Sequence, residues 1–550
     1  MELTVKKIND AMIKTKNLID KYAYVCLFAI FVVFMFSRLF RLGTLPYGVN
    51  VDEMAIGLDG KYLSEYGMDR NLDHLPVYPK NHGGGMSALY VYMLAILFKF
   101  VPYSITAVRI PAVLTGILCF FYSFRLCKEL FNDKATALLG PIFVTIMPFY
   151  MSSQRWGLDC NQFLSLMTVA LFYYIRAVKH GKIKDYVFSG IWLGITLYTY
   201  VISYVVLVVF LLLTVLYLVC IKEFSFKKYV ALAIPLFLLA LPLILFQLVN
   251  MGIIPEFTFL GSDYHKLTIY RESEISLSYF ANNLKFIPVL FFGFDGLNYN
   301  AFDIKAFGAT YAYMAPVIVT GFVWMLVDVI IGIRNNYGKK MRKVEVIDNS
   351  ETGSADAFMI VLLFFLPAFL LILIMWDPHI NKVNEIYLPF MIFAVYAVNK
   401  LSKKWSIVAP AVLIVSGIFF LLYSKFYFLD QKERYGYHEL FYGIPAYEIV
   451  QYAENTYNPD GSKTVYLEQE YADQGAEVFL LSALKDVPPT EFSLERTEFG
   501  NVRLHFPEEY DENENAIYIL GYTWNHISEY LSQNGFNVDT TFPNYLILYR

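Results

Sequence analysis

Apolar runs of membrane length recur along the chain from residue 23 to residue 424, and a polar segment follows from about 425 to 550. A run of about 18 or more apolar residues suits a helix that crosses a bilayer. The pattern predicts spans near 23–37, 107–126, 135–150, 162–178, 186–198, 203–221, 229–249, 311–333, 357–376, 386–399 and 405–424. The stretch SALYVYMLAILFKF, residues 87–100, is apolar but at about 14 residues is short for a span. In the polar segment, TVYL (464–467), AIYIL (516–520) and YLILY (545–549) read as short strands. They alternate with helical stretches near 445–455, 472–484 and 526–533, which predicts a small α/β domain.

Lysine and arginine set the orientation, because they concentrate on the cytoplasmic side. With the N-terminus inside and 87–100 not crossing, RLCKELFNDK, RAVKHGKIKD, IKEFSFKK, RNNYGKKMRK and KLSKK all fall inside. If 87–100 crossed, every later loop would swap sides and the bias would invert. The stretch therefore reads as a re-entrant or surface-lying helix. The expected architecture is an α-helical polytopic protein of the cell membrane with about eleven transmembrane helices. Residues 1–22 are cytoplasmic, 23–424 form the transmembrane domain, and 425–550 form an extracytoplasmic α/β domain. The outer loops are 38–106, 151–161, 250–310 and 377–385, and the inner run 334–357 reads as a solvated, lipid-facing loop.

Composition changes little in this picture. The chain is 57% hydrophobic and 17% charged, and its net charge of -4 says little about partners because the charges are segregated by loop. No nucleic-acid partner is expected. No cleavable signal is expected at the N-terminus, since a polar stretch precedes residue 22 and no small-residue cleavage site closes the first apolar run. Five scattered cysteines, four in or beside apolar runs, argue against a disulfide framework. There is no Walker A, HExxH or GxSxG motif, so a nucleotide-driven pump has no support.

The outer loops hold the candidate chemistry. Asp52 and Glu53 are adjacent carboxylates just beyond the first span, and such groups are costly near a bilayer unless they pair or react. Residues 52–66 have helical spacing and suit a helix lying flat on the membrane, with Asp52 as N-cap and Glu53 as first-turn acid on a purely structural reading. SSQRWGLDCNQF (152–163) offers Arg155 and Asp159, four apart and able to pair on a helix, with Trp156 as an interfacial anchor. VYPKNHGGGMSALYVY (77–92) places Lys80 and His82 before three glycines that allow close backbone approach to a ligand. WDPHINKVNEIYLP (376–389) offers Asp377, His379, Lys382 and Asn384, with Lys382 suited to a phosphate. Convergent carboxylates could deprotonate a hydroxyl, hold a metal or orient an acceptor.

The order of segments then resembles a known family. A span and a long outer loop opening with Asp-Glu are followed by ALYVYMLAILFK, then AVRIPAVLTGILCFFYSFRLCKELF, then a span ending MPFYMSSQRWGLDCN. This resembles the GT-C glycosyltransferase superfamily, on the branch of protein O-mannosyltransferases and lipid A aminoarabinose transferases. The resemblance is good over roughly residues 23–205. It implies a GT-C fold and a sugar donor linked to a polyprenyl phosphate, used on the outer face. It assigns the base to Asp52 or Glu53, a second acid to Asp159 with Arg155 beside it, and donor-phosphate contacts to Lys80, Arg155 and, more loosely, Lys382. His82, His379 and Asn384 would be further donor or acceptor contacts. One branch uses a metal with paired acids. The first loop here lacks a D-x-D, so Asp52 and Asp159 would be the only holders of a divalent metal, and no other cofactor is implied.

With a cysteine-free external domain and abundant Lys, Asn, Ile and Tyr, the sequence leans bacterial. The implied donor is then an undecaprenyl-phosphate sugar and the acceptor a cell-envelope glycan, lipid or protein, reached by single displacement with inversion. Two rivals stand beside this. A lipid or glycan flippase would need ionisable residues inside spans, where Asp328 is the clear acid. A catalytically inactive scaffold would use the C-terminal segment as its functional module.

Overall fold

The computed structural model describes residues 14–46, 48–81, 83–269, 275–292, 307–335, 343–345, 352–380, 382–429, 442–443, 446–467, 475–504, 515–521, 525–542 and 545–550. Each apolar run predicted to span is helical, with 135–150 divided among the three short helices Lys134–Ala137, Leu139–Ile146 and Pro148–Ser153. Five helices, Ile105–Phe131, Phe226–Asn250, Met314–Asn335, Ala355–Ile374 and Val408–Phe428, are long and apolar enough to cross a membrane. The short helix Lys14–Lys21 and the helix Ala23–Leu39 meet at a bend of 76° and pass the same test together. Residues Ala88–Leu97 form a helix of 10 residues, too short to cross.

Helix packing in the bundle follows from small residues. Gly190 and Gly194 lie one turn apart on Ile183–Thr196. A Cβ on Gly190 would sit 2.1 Å from the Leu232 carbonyl oxygen, and one on Gly194 2.7 Å from Leu239. Only glycine at both positions lets the helix Phe226–Asn250 approach this closely, the small-residue device of membrane helix pairs. Asp328, the acid inside a predicted span, accepts from Tyr396 at 2.6 Å and pairs with Lys400. Its charge is therefore balanced by Lys400 on the neighbouring helix Tyr387–Lys404, and Tyr396 of the same helix adds a hydrogen bond.

The polar connections gather at the two ends of the bundle. At one end Lys16 meets Asp133 at 3.1 Å, Asp20 accepts from the Lys134 amide, and Lys179 meets Glu129 at 3.1 Å. Within the run 334–357, Lys343–Glu345 pairs antiparallel with Thr352–Ser354, so this connection has a short hairpin where the pattern predicted only a loop. At the other end lie residues 48–81, 83–87, 151–160, 251–269, 375–380 and 382–386. They touch through Gly157–Glu53, Ser87–Asp159, His74–Asp263 and Asn384–Cys160 hydrogen bonds.

The C-terminal region is an α/β domain. Its six-stranded mixed sheet runs in the order Glu498–Phe499, Val502–Arg503, Thr464–Leu467, Ala516–Gly521, Tyr545–Tyr549, Asn537–Asp539. The three predicted strands occupy its centre, and the two- and three-residue strands beside them are too short to show an alternation. Strand Thr464–Leu467 runs parallel to Ala516–Gly521, a crossover that carries the helix Ala476–Leu484.

That helix docks on the first loop. Ala476, Phe479, Leu480 and Ala483 share a core with Met54, Ala55, Leu58 and Tyr62 of the helix Val51–Tyr66. Tyr62 Oη donates to the Val487 carbonyl at 2.7 Å, and Lys61 Nζ bonds the Ala483 carbonyl and Asp486. Strand Val49–Asn50 pairs with Tyr442–Gly443. The first-loop helix is thus buried between the bundle and the C-terminal domain from Glu53 to Ser64. This corrects the expectation of a helix lying flat on the bilayer: its apolar face is matched by a protein domain instead of lipid.

Candidate active site

The site is built around the start of the helix Val51–Tyr66. Its N-cap is Asn50, whose Oδ1 accepts the amides of Asp52 and Glu53 at 2.8 and 3.4 Å. The expected cap, Asp52, is therefore released from that duty. The two adjacent carboxylates then part company. Glu53 is fully buried and takes Arg109 in a two-point pair, Nε to Oε1 at 2.8 Å and Nη2 to Oε2 at 3.0 Å. Its Oε1 also accepts the Gly157 amide at 3.0 Å. A Cβ on Gly157 would stand 2.9 Å from that oxygen, so a side chain there would displace the Glu53 carboxylate. Arg109 spends its remaining donors on the carbonyls of Leu42, Pro46 and Gly48. Glu53 and Arg109 tie the first loop, the helix Ile105–Phe131 and the 151–160 connection together.

Asp52, by contrast, is exposed, and its Oδ1 accepts from Asn81 Nδ2 at 2.9 Å. Asp159 sits nearby. Its Oδ2 accepts the Ser87 amide at 2.9 Å and its Oδ1 the Cys160 amide at 2.7 Å. Both carboxylates act on the Cys160 thiol, which burial, then Asp159, then Asp52 push well above its ordinary value. Asn81 and Ser87, on either side of the strand Gly84–Gly85, thus hold Asp52 and Asp159 respectively. No cluster of three metal-ligating side chains occurs among the described residues.

Arg155 departs from expectation. Its Nη1 donates to the carbonyls of Ser37 and Arg38 at 2.7 and 2.8 Å, and its Nη2 to those of Phe40 and Leu45 at 2.8 and 3.2 Å. The side chain is fully buried and clamps the end of the first span, so the pair expected with Asp159 does not form. Trp156 is also buried, at 1% exposure, and not a surface anchor. In both cases the 152–160 connection turns into the bundle instead of lying along its rim, which a local helix reading does not anticipate.

Lys80 and Lys382 each neighbour a wall residue of an apolar cavity. Lys80 pairs with Asp73 at 3.1 Å and belongs to the short hairpin in which it faces Gly85. Asp73 also meets His265 at 3.3 Å. Lys382 lies 5.0 Å above the Trp376 ring and donates to the Asp377 carbonyl at 3.2 Å. A cavity of about 400 Å³ is lined by Tyr78, Gly85, Phe246, Ile269, Met375 and Trp376 among others. Two of its wall residues, Gly85 and Trp376, are thus the immediate neighbours of Lys80 and Lys382.

Asn384 is buried and donates to the Cys160 carbonyl at 2.7 Å, which seats the 384–386 turn against Asp159's neighbour. His379 is held neutral, its imidazole pushed down to about 3 by burial and by Lys382. His82 lies outside the described residues. Three groups escaped the sequence reading: Arg109, Arg70 and Glu385. An arginine inside the apolar run AVRIPAV was the available signal for Arg109, because a charge there must be paired. Nothing in the local pattern singled out the other two.

Glu385 is buried, and neither of its carboxyl oxygens has a partner among the described residues. Burial pushes its carboxyl from 4.5 up to about 8. Between those values the folded chain holds the proton more tightly than the unfolded one, so stability falls as pH rises through this window. Glu385→Gln is therefore expected to raise stability at pH 8 by on the order of 3 kcal/mol and to change it by less than about 1 kcal/mol at pH 5. Thermal unfolding in detergent at the two pH values measures this.

Residues 87–248 match the family model described as dolichyl-phosphate-mannose-protein mannosyltransferase. The fold matches the crystal structure of ArnT from Cupriavidus metallidurans bound to undecaprenyl phosphate, with a TM-score of 0.54, 11% identity, and 96% of this chain and 98% of that chain covered. The apo structure of the same ArnT gives a TM-score of 0.55, 12% identity, and 96% and 97% coverage. No curated protein sequence matches the chain. The chain has the GT-C glycosyltransferase fold, and its residues 87–248 carry the pattern of the dolichyl-phosphate-mannose-protein mannosyltransferases.

Proposed function

We propose that the chain transfers a monosaccharide from a polyprenyl phosphate, undecaprenyl phosphate in a bacterium, to a cell-envelope glycan, lipid or protein on the outer face of the membrane. The observation that carries this reading is the apolar cavity with a lysine beside each of two wall residues, at the end of the bundle that also holds Asp52 and Asp159. A lipid phosphate has the same two-part chemistry. Its first isoprene units fill an apolar cavity of this size, and its charged head stays at the rim with Lys80 and Lys382. The match to an ArnT bound to undecaprenyl phosphate supports the same assignment. The lysine-rich connections at the opposite end support an inside position for that end and an outside position for the site.

In the reaction the acceptor hydroxyl attacks the anomeric carbon in line with the departing phosphate. The C–O bond to the sugar forms as the bond from the sugar to the phosphate oxygen breaks. Asp52 takes the hydroxyl proton, because it is the exposed carboxylate of the pair and Glu53 is committed to Arg109. Asp159 orients the acceptor or the sugar. Lys80 and Lys382 stabilise the charge that gathers on the phosphate as it leaves. One displacement inverts the anomeric centre.

The lysine assignment gives a direct test on the lipid product. Removing both cations, Lys80→Ala with Lys382→Ala, is expected to weaken undecaprenyl phosphate binding by about 10- to 100-fold, or about 1.4–3 kcal/mol. Binding measured by competition in detergent checks it. Unchanged affinity in the double variant would place the phosphate elsewhere.

A further inference from the structure

Arg70 stands at a junction that the proposed reaction has not yet used. It is 7% exposed, and its guanidinium reaches three parts of the molecule at once. Nη1 donates to Asp59 Oδ2 at 2.9 Å and to the Ala55 carbonyl at 3.0 Å, both on the helix that begins at Asp52. The Arg70 amide adds a bond to Asp59 Oδ1 at 3.1 Å. Nη2 donates to Asn81 Oδ1 at 2.6 Å and to the Lys80 carbonyl at 3.2 Å. Its face lies 4.7 Å from the Phe479 ring of the C-terminal domain.

Asn81 completes the chain. With its amide oxygen taken by Arg70, its Nδ2 is turned toward Asp52 Oδ1. The arginine thereby fixes which way the amide points, and the amide fixes how the carboxylate points. The same guanidinium holds the hairpin that carries Lys80. We propose that Arg70 is the positioning residue of this site, holding Asn81 on the carboxylate of Asp52, and that Phe479 makes the external domain part of that support. The proposal rests on Asp52 as the base.

The chemistry requires arginine here. A lysine would keep the charge opposite Asp59, but one ammonium cannot also bridge to Asn81 in a fixed plane. Arg70→Lys therefore separates positioning from simple charge balance. Phe479→Leu keeps the apolar packing against Ala55 and Leu58 and removes the ring face under the guanidinium.

The test is donor turnover by the purified full chain. The probes are undecaprenyl-phosphate-linked hexose, N-acetylhexosamine and pentose, read as released undecaprenyl phosphate. Asn81→Ala and Arg70→Lys are each expected to lower kcat on the order of 10- to 100-fold with donor KM within about twofold, since a carboxylate displaced by an ångström is a rate effect. The double variant is expected to be no slower than Asn81→Ala alone, because both act through one contact. Phe479→Leu is expected to lower kcat several-fold in the parent and not at all in the Asn81→Ala background. Multiplying effects, or losses confined to KM, would overturn the proposal, since separate or purely structural roles give those results. Asp52→Asn run in parallel separates the two claims. If it is inactive while Asn81→Ala is fully active, the base stands and the positioning chain falls. If it is fully active, or no donor is turned over by the parent, the reading of the site itself falls.

Discussion

Asp52→Asn is expected to fold like the parent and to lose transfer by on the order of 10²- to 10⁴-fold, the usual range for removing a general base. The side chain is exposed and its one described side-chain bond is to Asn81. A change at an exposed position away from the core usually moves stability by less than about 0.5 kcal/mol. The loss should therefore appear in kcat, with melting temperature and donor binding unchanged. Steady-state release of undecaprenyl phosphate, alongside thermal unfolding, measures both. Full activity in this variant would remove Asp52 from the chemistry.

The opposite behaviour is expected one residue away. Arg109→Met leaves the fully buried Glu53 carboxylate without its cation. Breaking one half of a buried ion pair costs about 3–5 kcal/mol, and the carbonyls of Leu42, Pro46 and Gly48 lose their donor as well. Native proteins have only about 5–15 kcal/mol to lose. The variant should therefore yield little folded protein, with a sharply lowered melting temperature. Glu53→Gln should fall on the same side, because it keeps a buried guanidinium and removes its counter-charge. Replacing both partners, Glu53→Met with Arg109→Met, should recover part of the stability, since no buried charge is then left alone. Size-exclusion profiles and thermal unfolding of the four proteins decide the matter. An inactive but fully stable Arg109→Met chain would show that Glu53 and Arg109 act in the reaction and not in the scaffold.

Much of this was legible in the sequence, and the reason is physical. A bilayer demands long apolar helices, and the period and length of the runs expose them directly. Charge bias separated the lysine-rich end from the end with acidic loops, and the contacts at 53, 87, 157 and 159 place those loops together. The three central strands of the C-terminal domain were visible as apolar runs, while Glu498–Phe499 and Val502–Arg503 were too short to leave a pattern.

Most of the errors concern where a side chain goes once the chain turns inward. Arg155 and Asp159 have helical spacing, but the connection is held by Arg155 on four carbonyls, so the spacing never becomes a helix face. The amphipathic pattern of residues 52–66 gave the helix but not its partner, because a lipid surface and the helix Ala476–Leu484 present the same apolar demand. Nor could local sequence tell Asp52 from Glu53. That distinction depends on Arg109, 56 positions beyond Glu53, and on Asn50 taking the cap.

The claim at the centre is that a single in-line displacement at this end of the bundle, with Asp52 as base, moves the sugar off its lipid phosphate. The anomeric configuration of the product tests it most directly. NMR of the glycoside formed by the purified chain from an undecaprenyl-phosphate monosaccharide of known configuration should show the opposite anomer. A product that keeps the donor's configuration would require a second displacement and would contradict the account.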